Sequence, residues 1–469
     1  MNDENPKQYL GDNLSELPAN GGTQEVFYST GGICPRPTMV KGQGIYLWDD
    51  KGNQYIDASS GPVTCNLGHA NHRVLDAINK QSHQLSFSFP STARNEPNEK
   101  LAAQLTTLAG TGFERAMFVS GGSEAVDMAI KFCRQYRFAT GDLKRNKLIS
   151  CQPSYHGMTL GALAVLGDPI YEEIYGEMIS IGEKIPAYLY YRNGQGKTED
   201  EYANECAVKL EEKILAMGKD TVLAFIVEPV GGSASGAIAP PESYFNEIRR
   251  ICDQYGVFLI YDEVMSGIGR TGTFLTSHLW PNAKPDISVV AKGLGAGYLP
   301  LGAMLTSASL VEELSQLTGF NYAYTYNASP LACAVGSAVL DEITENNLLG
   351  NCVRLGKYLK SELKEMQQDS LIIGDIRGRG LLLGIELVAC KKTRKSLPLE
   401  INAVEKIRLL GQDNGLMIYG RRSNNGKYGD NVLIAPPLNI TEKEVRLLIQ
   451  RLKIVLKKFE NELKLAKII

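Results

Sequence analysis

Residues 116–125 read Ala-Met-Phe-Val-Ser-Gly-Gly-Ser-Glu-Ala: four apolar residues, a turn of small residues, then the amphipathic stretch Glu124–Ala139. The pattern is a strand that runs through glycines directly into a helix. Four more short apolar runs follow, Leu148–Cys151, Leu223–Val227, Val257–Tyr261 and Ile287–Ala291. Helical periods separate them, among them Glu199–Met217, which opens on a Thr198-x-x-Glu201 capping box. Strands that alternate with helices and are apolar throughout are buried on both faces. The expected fold class is therefore α/β, a large domain around a mostly parallel sheet.

On either side of this core the character changes. Upstream, Ile45, Leu47 and Tyr55 flank Asp50-Lys51-Gly52-Asn53, a hairpin signal. The first 30 or so residues are polar and rich in Gly and Asn, which suggests a loosely docked arm. Downstream, two helical stretches bracket Ile376–Leu387, and Thr441-x-x-Glu444 caps a long amphipathic helix through Phe459. We expect residues 1–75 to form the arm and part of a small domain, 76–340 the large domain, and 341–469 the rest of the small α+β domain, built from both termini.

Composition narrows the function. With 43% hydrophobic and 22% charged residues in 469, the chain is neither disordered nor fibrous. The net charge of −3 provides no basic field for nucleic acid or an anionic membrane. Nine cysteines, Cys34 among them, never fall as CxxC, which argues against disulfides or zinc and fits buried thiols in a reducing cytoplasm. The five histidines lack HExxH spacing, so no metal is expected. The N-terminus lacks the basic and apolar segments of a signal peptide, and no apolar run approaches ~18 residues.

Ligands of open parallel sheets collect at the carboxyl ends of the strands. After Val119 come Gly121, Gly122 and Ser123, where N–H groups at a helix start can face an anion; a plain turn with Ser123 as N-cap has the same form. After Cys151 come Tyr155-His156-Gly157, whose tyrosine either fills the core or stacks on a flat ligand. Glu228-Pro229-Val230 follows Val227, Asp262-Glu263-Val264 follows Tyr261, and Lys292-Gly293 follows Ala291. An acid and a lysine ending apolar strands are costly unless paired or used. Gly267–Gly272 matches GxGxxG, but no helical period follows, and Gly293–Gly297 lacks the Walker Lys-Ser/Thr.

A phosphate cradle, a stacking aromatic, an acid and a nucleophilic lysine together describe a site for pyridoxal phosphate. Lys292 is the expected Schiff-base residue and proton carrier, and Asp262 the partner of the pyridine nitrogen. Val264, two residues on and facing the same side, is expected to cover the ring face opposite Tyr155.

These motifs, in this order across about residues 40–440, resemble the class III pyridoxal-phosphate-dependent aminotransferases. The resemblance implies the fold-type-I transaminase fold and a homodimer with its two active sites at the interface. It assigns the cofactor to Gly122, Ser123, Tyr155, His156, Glu228, Asp262, Val264 and Lys292, with Thr325 reaching the phosphate from the other subunit. Members that use ornithine or 4-aminobutyrate carry an arginine three residues before a Pro-Pro pair and a glutamate shortly after Glu-Pro. Those positions are Leu433 and Ser233 here, which is similar to the amine:pyruvate and ω-amino acid:pyruvate branch. That branch swings an arginine from a preceding loop; Arg421 and Arg422 are the candidates, a solvated loop charge being the plain alternative. Pro62, Val63, Phe87 and Phe89 lie where the family lines its substrate cavity.

The implied activity is ping-pong transamination through a Lys292 Schiff base, from an amine or ω-amino acid to a keto acid, with pyruvate the expected acceptor. An aminomutase, racemase or decarboxylase on the same scaffold stays open. A catalytically silent binding protein is a third reading, against which the complete residue set speaks.

Overall fold

The structure is a computed structural model that describes residues 36–469. Cys34 and the expected N-terminal arm lie outside the described residues. At the centre stands a seven-stranded sheet in the order Arg115–Val119, Gly302–Thr306, Ile287–Val290, Phe258–Asp262, Val222–Val227, Lys147–Gln152 and Glu183–Pro186. Every apolar run picked out above is one of these strands. Val222–Val227, Phe258–Asp262 and Ile287–Val290 are buried at each position, because helices cover both faces. Helix Gly122–Ala139 presses Ala125, Val126, Met128 and Phe132 on one face. Helices Glu199–Met217 and Glu242–Tyr255 bury Leu210, Ile214, Tyr244 and Phe245 on the other.

Two strands of the sheet escaped the sequence pattern. Glu183–Pro186 is a half-polar edge strand parallel to Lys147–Gln152. Gly302–Thr306 is antiparallel to both its neighbours, Arg115–Val119 and Ile287–Val290. The chain reaches it from Val290 without a crossover α-helix, and a strand joined to its neighbour without a crossover returns antiparallel. Polarity alone does not encode that direction.

Two four-stranded sheets make up the small domain. One pairs Met39–Gln43, Tyr46–Asp49 and Gln54–Asp57 with Leu416–Met417, Leu416 lying beside Ile56, so the two ends of the chain share a sheet. Its hairpin forms where expected; the Asp49 carboxylate accepts from the Lys51 and Asn53 N–H groups and the Tyr55 hydroxyl. The other sheet, Ile373–Arg379, Leu382–Leu387, Asp430–Ile434 and Tyr419–Arg422, is antiparallel throughout. Both capping boxes form. The closing helix Glu442–Leu465 buries Val445, Leu448, Leu452 and Phe459 in the core. Among the described residues no helix is long and apolar enough to cross a membrane.

Candidate active site

The carboxyl ends of the parallel strands open on a cavity of about 460 Å³. Gly122, Ser123, Tyr155, His156, Glu228, Asp262, Val264 and Lys292 all line it, drawn from five separate strand ends. Lys292 sits in the turn after Ile287–Val290 with φ +40°, a left-handed backbone that L-residues pay for and that gathers at functional sites. Its Nζ donates to the Pro62 carbonyl at 3.0 Å. Burial pushes its ammonium down to about 8, while the charges of Asp262 and Glu228 hold it up.

Asp262 is buried, and both its oxygens are engaged. Oδ2 lies 2.7 Å from His156 Nδ1, and Oδ1 accepts the Val264 N–H at 3.0 Å. The His156 side chain is itself fully buried, with no partner for Nε2 among the described residues. Val264 lies beyond the end of its strand, which stops at Asp262; the Asp262 carboxylate, not strand alternation, turns it towards the cavity. Glu228 accepts from the Tyr155 N–H at 3.2 Å and the Gly232 N–H at 2.8 Å, and burial raises its carboxyl. It thereby ties the stacking tyrosine to the next strand end.

Helix Gly122–Ala139 begins at the cavity with Gly121 as N-cap and no side chain capping it. Ser123 is the second helical residue rather than the cap; its Oγ accepts the Met158 N–H at 3.1 Å. First-turn N–H groups lack acceptors inside a helix, and here the residues carrying them line the cavity. Close packing requires the glycines: a Cβ on Gly122 would stand 2.8 Å from Val264 Cγ1. A Cβ on Gly157, at φ +125°, would stand 2.4 Å from Ser123 Oγ.

Other expected residues sit elsewhere. Thr325 is exposed and does not line this chain's cavity. Nor do Phe89, half-buried, or Phe87, which is exposed and meets Tyr326 edge-on at 6.0 Å. Leu433 is fully buried in the apolar core, and Ser233 Oγ lies 3.1 Å from the Tyr419 hydroxyl. Arg421 and Arg422 end a strand, Tyr419–Arg422, rather than lying in a loop. Arg422 donates to the carbonyls of Leu397 and Pro398 and faces Asp430. Arg421 pairs with Asp168 at 2.5 Å, its guanidinium 5.5 Å from the centre of the Tyr155 ring.

Several contributors had no sequence signal. Asp168 and Tyr419 belong to no motif and reach the site only through the fold. Asp57, Cys65 and His69 bring ligand atoms within 4.8 Å of one another, at spacings that no metal motif covers. Asp57 also accepts the Gly61 N–H at 3.0 Å and so shapes the loop that offers the Pro62 carbonyl to Lys292.

The arrangement fits pyridoxal phosphate group by group. A helix start without a side-chain cap is a phosphate cradle, and a lysine pushed down to about 8 is a ready amine nucleophile. A buried carboxylate fixed by an imidazole suits a protonated pyridine nitrogen, and Tyr155 and Val264 suit the ring's two faces.

Comparison with known proteins agrees. The family described as Aminotransferase class-III matches residues 32–456. An uncharacterized aminotransferase of Schizosaccharomyces pombe is 36% identical over 91% of this chain and 94% of its own length. The putrescine–pyruvate aminotransferase of Pseudomonas aeruginosa is 32% identical over 88% of each chain. The solved structure of an amine transaminase from an uncultivated Pseudomonas species, in its PLP-bound form, superposes with a TM-score of 0.87 at 31% identity, covering 93% of this chain and 99% of that one.

Proposed function

The chain belongs to the class III aminotransferases, and we propose that within them it is a ping-pong transaminase that moves an amino group from an amine or ω-amino acid to pyruvate. The observation that carries this reading is the pair of positions 233 and 433. Ser233 is bonded to Tyr419, and Leu433 is in the apolar core, so neither end offers a fixed cation to the second carboxylate of a dicarboxylic acceptor. Pyruvate needs one such contact. Arg421, held by Asp168 beside Tyr155, is the guanidinium we assign to it; pairing with a substrate carboxylate is bidentate, and an apolar donor leaves it on Asp168.

When bound, pyridoxal phosphate supplies a carbonyl carbon that condenses with amines and a ring that withdraws electrons from the carbon being deprotonated. The chain's residues do the rest. Lys292 Nζ would anchor the cofactor and, once displaced by the donor's amine, would take the proton from the donor's Cα and deliver it to the cofactor's former carbonyl carbon. The Asp262 carboxylate keeps a proton on the ring nitrogen, and His156 holds Asp262 in place. N–H groups of Gly122 and Ser123 bind the phosphate, Tyr155 and Val264 confine the ring, and Glu228 positions Tyr155.

We extend the reading to a homodimer in which Thr325 reaches the partner's phosphate. The exposed apolar residues Phe87, Met158, Leu160 and Tyr326 support it, since Met158 adjoins Ser123. A reducing cytoplasm is the proposed location, with all eight described cysteines free.

The test is a donor screen with the cofactor-loaded protein, using putrescine or an ω-amino acid with pyruvate or 2-oxoglutarate. Pyruvate is expected to give a kcat/KM at least about tenfold higher, and Lys292→Ala no turnover. Equal or better use of 2-oxoglutarate overturns the acceptor assignment, and sustained donor conversion beyond one equivalent per site without any keto acid points instead to a mutase, racemase or decarboxylase.

A further inference from the structure

A second cleft, of about 640 Å³, lies away from the active cavity, between the segment Tyr188–Glu199 on one side and helix Leu348–Asp369 with strand Ile373–Arg379 on the other. Of the cations that line it, three stand together. Lys360 and Lys364 stand one turn apart on the helix, and Arg379 ends the strand beside them. Like charges at that spacing destabilise a helix, and among the described residues none of the three is in an ion pair. Lys360 Nζ donates to the Gly378 carbonyl at 2.8 Å, yet burial first, and then the charges of Lys364 and Arg379, push its ammonium down. Arg379 Nε is buried without a hydrogen-bond partner among the described residues. On the facing wall Tyr188 is only 6% exposed, and among the described residues its hydroxyl also lacks a partner.

The acids of the cleft offset this cluster only in part, Asp375 and Glu199 holding the Lys360 ammonium up against burial and its two cationic neighbours. Asp375 and Glu386 are committed to Arg377 at 3.0 and 2.6 Å, and Glu386 also to Arg192 at 2.7 Å. Glu199 is exposed at a helix start, where the helix dipole already favours it. What the cleft presents is a triad of donors without an ion pair, backed by buried polar atoms that have no partner among the described residues.

We propose that this cleft binds a small molecule through a diphosphate group, held by Lys360, Lys364 and Arg379. The chemistry fits because several fixed cations share one multiply charged anion, whose oxygens accept from each. The site stands independently of the substrate assignment above, and it adjoins the active cavity through one loop. Arg377, in the cleft wall, donates to the carbonyls of Ser235 and Gly236 at 3.0 and 2.7 Å. The same loop's Gly232 and Ser233 line the active cavity.

The experiment is calorimetric titration of the cofactor-loaded protein with pyrophosphate and, separately, with ADP, the cofactor keeping the catalytic phosphate site filled. Saturable binding of one equivalent per chain is expected, weakened about tenfold or more by Lys364→Glu. Lys364 is exposed, so this variant keeps its fold, its cofactor absorbance and its basal transamination. Arg379→Gln is expected to weaken binding as well. Equal affinity for both probes assigns the diphosphate alone, and tighter ADP binding adds the tyrosine wall. No saturable binding of either probe, or binding undiminished in both variants, overturns the proposal.

Discussion

Lys292 owes its reactivity to where it sits. Its backbone is held left-handed, its Nζ rests on the Pro62 carbonyl, and burial works against the charges of Asp262 and Glu228 to leave the ammonium at about 8. The neutral amine is the nucleophile, and its fraction grows as pH rises through that value. Uptake of pyridoxal phosphate by the apoenzyme is therefore expected to accelerate as pH rises through about 8. Asp262→Asn removes the stronger of the two charge interactions that hold the ammonium up, so the midpoint should fall to lower pH, as followed by absorbance after rapid mixing. A midpoint that stays put would mean that burial alone sets it. Both residues were legible in the sequence, because a charge that ends an apolar run must be used or paired. Asp168, which holds Arg421, was not: an isolated acid acquires meaning only from what the fold sets beside it.

The helix Gly122–Ala139 and the turn through Gly157 form one unit. Gly157 packs on Ser123 at φ +125°, and the Met158 N–H that follows it bonds Ser123 Oγ. Gly157→Ala adds both a strained backbone and a collision with Ser123, at a cost of about 2–3 kcal/mol. A lowered urea midpoint and weakened cofactor binding should appear together; loss of stability with unchanged cofactor affinity would separate the turn from the cradle. The glycines after strand ends could be seen in the sequence, and so could the helix they start. The part played by Ser123 could not, since N-cap and second helical position differ by a backbone angle that composition leaves open. Val264 shows the same limit, its direction being set by a hydrogen bond to Asp262 beyond the strand's end.

Arg270 ties the parts of the molecule together. Fully buried, it donates to the Leu381 and Pro436 carbonyls at 3.2 and 2.5 Å and to Asn66 Oδ1 at 2.6 Å. It thus joins the early loop, the large domain and both later strand regions, although burial pulls its guanidinium down to about 10. Arg270→Met keeps the volume but strands four buried acceptors, the Ser60 hydroxyl being the fourth, so a loss of about 3 kcal/mol is expected in chemical denaturation; a change within error would show that these acceptors find other donors. In the sequence Arg270 lay within a GxGxxG match that was set aside for want of a helix, correctly for dinucleotide binding but without a hint of this joint. The sequence by itself determined the layered α/β core and the two-ended small domain, and it singled out the strand-end residues that line one cavity, because apolar periodicity and the cost of burying charge act locally along the chain. Only the tertiary structure decided the antiparallel strand Gly302–Thr306, the pairing of Arg421 with Asp168, the Arg270 joint and the cationic cleft around Lys364. Each of these depends on which distant segments meet, and that is settled by how whole faces pack rather than by any residue's neighbours in sequence.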